Sequence, residues 1–154
     1  MDKFSIPIKY GVAIAAGLIA YFLILSIFGA HKYPIFSLFN GVIMGVGMYA
    51  AIKNYRDKKG NKFKFQKGFM ASLLTGFNAT IIFTIFFGLY STEFNPGFLD
   101  ELITVWIKDY NTSIGIVLFV VAVMGFATSL VLTLAYMQLF KQSWNTKEAS
   151  KHTL

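Results

Sequence analysis

The sequence contains no cysteine. Structural disulfides, iron–sulfur clusters and thiolate zinc sites are therefore excluded. Histidine is almost absent too, with only His31 and His152. Charge is sparse, at 14% of residues, and avoids four long stretches entirely: Tyr10–Ala30, Tyr33–Ile52, Gly68–Thr92 and Tyr110–Phe140. Ion pumps, proton relays and small multidrug exporters usually need a carboxylate or a basic group at membrane depth, where a charge is costly and kept for function. Haem held across a bundle needs His or Met pairs at depth. Membrane hydrolases and transferases need a nucleophile–base pair or a metal cluster, and no His or Asp lies beside Ser26, Ser37, Ser72 or Ser129 in these stretches. The expectation is a protein that is not an enzyme and has no metal and no cofactor.

What fills the gaps is apolar. Of 154 residues, 56% are hydrophobic, 17 are phenylalanine, and the mean hydropathy is +0.60. A small soluble domain buries only about two-thirds of its surface and could not hide so much apolar material. Each charge-free stretch reaches the roughly 20 residues that a transmembrane helix needs. The runs are continuous rather than alternating, which favours helices over barrel strands. The expected fold is all-α: four transmembrane helices at about 10–30, 34–52, 68–91 and 113–140, forming one domain over 1–143, with a flexible tail at 144–154. The first run is longer than a signal-peptide core, and Phe28 is too bulky for the position before a cleavage point at Ala30, so it reads as a retained helix.

Basic residues set the orientation. Twelve lie in the N-terminal segment, the segment between spans two and three, and the C-terminal tail; only Lys32 and Lys108 lie on the other side. Glu93, Asp100, Glu101 and Asp109 all fall on that other side. Both termini are therefore expected on the cytoplasmic face. Tyr10, Tyr33, Tyr55, Tyr90, Tyr110, Tyr136 and Trp144 sit near span ends, the depth that suits amphipathic rings. After Asn95-Pro96-Gly97, apolar residues including Phe98, Leu102 and Trp106 recur at helical spacing, predicting a short amphipathic helix on the outer membrane surface.

Inside the spans, Asn40, Asn78 and Thr75 are the candidate polar residues, either as interhelical packing contacts or as a pocket for a neutral solute. Gly41 and Gly45 form a small-xxx-small pair for helix packing. Lys58, Lys59, Lys62 and Lys64 are candidates for the lipid surface, with Phe63 and Phe65 between them able to dip into the interface. Expected partners are membrane lipid, other membrane proteins or a second copy, and no nucleic acid.

Tyr55-Arg56, Lys59-Gly60, Phe65-Gln66-Lys67-Gly68-Phe69, Asn95-Pro96-Gly97-Phe98 and Asp100-Glu101, spread over roughly residues 5 to 143, resemble the pattern of a bacterial four-span family, domain-of-unknown-function family 4199. The resemblance implies a bacterial inner-membrane location and this topology. It transfers no residue role. The reading that follows is a non-catalytic accessory, scaffold or assembly component of a membrane complex, with a small transporter or channel for a neutral or lipid-like solute as the alternative.

Overall fold

The computed structural model describes residues 5–30, 33–60, 63–106 and 113–140. Lys62 and the tail 144–154 lie outside the described residues, as does the side chain of Trp106. The described chain is helical throughout, without a strand. Its elements are α1 (Ser5–Ile27), α2 (Pro34–Lys59), α3 (Phe65–Leu89), a π-helical turn (Tyr90–Phe94), α4 (Phe98–Trp106) and α5 (Ile114–Leu139). Four of these segments, Ser5–Ile27, Ile35–Lys59, Phe65–Phe94 and Ile114–Leu139, are long and apolar enough to cross a membrane.

Local chemistry sets the breaks. α1 stops before Gly29, whose φ of +63° is the left-handed geometry that glycine accepts without strain. α2 opens on Pro34, after an extended Tyr33. It closes at Gly60 (φ +47°), where the Gly60 N–H donates to the Arg56 carbonyl. Arg56, Lys58 and Lys59 occupy its last turn, where the partial negative charge of the helix end favours cations.

The helices overrun the charge-free stretches on which the expectation was based. Lys53, Arg56, Lys58 and Lys59 are helical and extend α2 beyond Ile52, so they do not form a loop. Lys67 likewise lies within α3, which starts at Phe65. A charge marks where the apolar depth ends, whereas a helix continues until its backbone is capped.

α3 is the hub. It packs most extensively on α1 and α5, and less on α2, while α2 and α5 barely meet. Met44 and Met48 of α2 join Ile14 and Leu18 of α1 and Ala79 of α3 in the central core. Of α5, only Ser129, Thr133 and Met137 are buried.

Candidate functional site: a polar seam, an open flank and a basic end

The α3–α5 contact is built on a spacing of four. Gly68, Ser72, Gly76, Thr80 and Gly88 of α3 face Met137, Ser129, Gly125 and Leu118 of α5, with Ser72 bonded to Thr133. A Cβ on Gly76 would stand 2.5 Å from Ser129 Oγ, and one on Gly125 would stand 2.5 Å from Thr80 Cγ2. Small residues let the two backbones approach closely, the usual way for helices to associate where lipid is as apolar as leucine. Buried Ser72 and Thr133 share a hydrogen bond of 2.9 Å. Thr75 and Ser129 bond back to the carbonyls of Ala71 and Gly125, each at 2.8 Å. The sequence pairs Gly41 with Gly45 more obviously than it announces this seam, which is recognisable only once α5 is known to lie against α3.

The structure separates the expected polar residues. Asn78 and Thr75 meet α1 at Gly11, where a Cβ would stand 2.7 Å from Asn78 Cβ and 3.1 Å from the Thr75 carbonyl oxygen. Asn40 lies elsewhere. Met48 Sδ is 3.1 Å from a Cβ placed on Gly76, and α2 runs antiparallel to α3. Eight residues back along α2 and eight forward along α3, about 12 Å at the helical rise, come Asn40 and Thr84. Asn40 Oδ1, Thr80 Oγ1 and Thr84 Oγ1 are buried without a hydrogen-bond partner. By this register Asn40 lies level with Thr84 of α3, about 9 Å in depth from Asn78.

Gly45 meets α5, where a Cβ would stand 2.9 Å from Tyr136 Oη, but Gly41 has nothing within 4 Å. It opens instead on an apolar groove of about 580 Å³ between α2 and α5, lined in part by Val42, Val46, Thr128 and Val131.

At the basic end the ends of α1, α2, α3 and α5 converge. Arg56 Cζ lies 5.4 Å from the centroid of the Phe140 ring, and Lys59 Nζ lies 6.0 Å from that of Tyr55. Phe63 turns inward, against Tyr55 and below Gly68, so of the two phenylalanines flanking Lys64 only Phe65 is exposed. Lys58 and Lys64 are exposed as well.

At the opposite end Phe22 is ringed edge-on by Phe83, Phe86, Phe87, Tyr90 and Phe98, with centroids 4.9–6.3 Å apart. Such T-shaped pairs gain about 0.5–1.5 kcal/mol each beyond burial. Phe98, 1% exposed, and Leu102 pin α4 to this cluster, and Asp100 and Glu101 face outward. The amphipathic helix is thus docked onto the bundle through its first turn. The Tyr90 hydroxyl is hydrogen-bonded to Ser26, tying the π-helical turn to α1.

Four long apolar helices locked by small and hydroxyl-bearing residues, with a docked amphipathic helix at one end and clustered lysines at the other, define a polytopic helical membrane protein. The chain belongs to a family described as protein of unknown function, DUF4199, whose profile matches residues 9–115. That match covers α1 to α4 and stops at the first turn of α5. No curated protein and no solved structure matches the chain.

Proposed function

We propose that the protein is a non-catalytic component of a bacterial inner membrane, with both termini in the cytoplasm, serving as an accessory, scaffold or assembly subunit of a membrane complex. The observation that carries this reading is how little of α5 the bundle uses. Only three of its residues are buried, on the edge that meets α3, while Phe119, Met124 and Leu139 are exposed. A span with so few buried residues leaves much of its surface for lipid or for the spans of other proteins. Of the seam's polar side chains, Ser72, Ser129 and Thr133 are hydrogen-bonded within it. Purification from native membranes in a mild detergent should bring a stoichiometric membrane partner. Recovery of a lone monomer or homodimer would count against the reading.

A second reading, passage of a small neutral or lipid-like solute, is favoured by one observation: Asn40 Oδ1, Thr80 Oγ1 and Thr84 Oγ1 are buried without partners. Unpaired polar groups are costly in an apolar setting, and a solute or water would satisfy them. Under this reading Asn40→Leu with Thr84→Val abolishes flux in liposomes while the protein still folds, and unchanged flux rejects it.

A further inference from the structure

The last two turns of α2 carry a polar face that neither reading above uses. Ala50, Lys53, Asn54, Asp57 and Lys58 fall at spacings of three, four, seven and eight, which places them on one side of the helix. With Tyr10 of α1 they line an open cleft of about 540 Å³ at the basic end. Its base is tied across the two helices, where Asn54 Nδ2 donates to Tyr10 Oη at 3.0 Å. The other half of that amide, Asn54 Oδ1, is buried and accepts no hydrogen bond. The basic residues at the end of α2 divide into two groups. Arg56 and Lys59 lean on aromatic rings, whereas Lys53 and Lys58 flank the cleft and are exposed.

We propose that this cleft binds the headgroup of an anionic phospholipid. The phosphodiester oxygens take hydrogen bonds from the ammonium groups of Lys53 and Lys58, which reach it on flexible apolar stems. A headgroup hydroxyl donates to the carboxylate of Asp57 or to the amide oxygen of Asn54, the acceptors on the same face. The cleft grades from Ala50 at the apolar depth of α2 to Lys58 at its charged end, as a lipid does from acyl chain to phosphate. A choline headgroup has no hydrogen-bond donor and is disfavoured on both counts. A glycerol headgroup supplies both the net negative charge and the hydroxyl.

The test uses the full chain in lipid nanodiscs of phosphatidylcholine with or without phosphatidylglycerol, then counts retained lipid by native mass spectrometry after release into detergent. A hydrogen bond from a lysine ammonium to a phosphodiester oxygen is worth roughly tenfold in binding. Lys53→Ala with Lys58→Ala should therefore lower phosphatidylglycerol retention about 100-fold. Lys64→Ala with Lys67→Ala removes the same charge from the same end of the molecule and should leave retention within about twofold. Tyr10→Phe keeps the ring, removes the hydroxyl that anchors Asn54, and should lower retention with only the small fall in thermal midpoint that loss of one interhelical hydrogen bond brings. Equal losses in the two double-lysine variants would reduce the effect to general surface charge and overturn the site. Full displacement of the lipid by inorganic phosphate would overturn the lipid assignment in favour of free phosphate.

Discussion

Glycine here acts through what stands opposite it. Gly76 has Ser129 and Met48 against it, so Gly76→Ala must push α3 and α5 apart. Overpacking of this kind costs about 1–3 kcal/mol, and thermal unfolding in detergent should show a clearly lower midpoint. Gly41 has nothing within 4 Å, and Gly41→Ala should stay within about 0.5 kcal/mol of the parent. If the two variants were equally destabilised, the seam would lose its special status. The Ser72–Thr133 hydrogen bond makes a smaller claim. A double-mutant cycle with Ser72→Ala and Thr133→Val should give a coupling of about 0.6 kcal/mol, typical for hydroxyls between transmembrane helices. A coupling indistinguishable from zero would mean that the two hydroxyls only fill space. The sequence displays the glycines but not their neighbours, which is why the Gly41–Gly45 pair is conspicuous on paper while the residues with the tightest packing are Gly47, Gly68, Gly76 and Gly125.

At the scale of elements, span length was legible because the bilayer itself imposes it: about 20 apolar residues are needed, and four stretches supply them. Helix ends were less legible, because Lys53 to Lys59 stop the apolar run without stopping the helix. α4 was legible from the spacing of Phe98 and Leu102. Its anchorage was not, since the cluster joins Phe22 to residues more than sixty positions away, and spacing along one segment does not reveal tertiary pairing. Phe98 is the keystone of that anchorage. Phe98→Ala should remove much of the roughly 3–5 kcal/mol that a buried phenylalanine contributes, and should free α4 without melting the bundle. Hydrogen exchange should then accelerate over residues 95–106 and remain unchanged over α1 and α3. Uniform acceleration across the spans would show that the aromatic cluster supports the whole bundle instead.

The whole molecule is polar end to end in charge, although its spans are neutral. Clustered lysines mark the end where α2 closes and α3 begins, and Asp100 and Glu101 mark the other. The proposed orientation, the proposed headgroup cleft and the role as a membrane component all depend on these two ends facing opposite sides of one bilayer. Candidate polar residues could be named from the sequence, but their placement could not: Asn40 comes level with Thr84 and Asn78 packs at Gly11, a division set by the antiparallel run of α2. The lack of any cysteine makes the decisive measurement clean, because single cysteines can be introduced at Lys59, Lys64, Asp100 and Glu101 without a background signal. In intact cells treated with a membrane-impermeant maleimide, the account predicts labelling at positions 100 and 101 and protection at 59 and 64 until the membrane is opened. Labelling of all four positions from one side, or protection of 100 and 101 with labelling of 59 and 64, would contradict it.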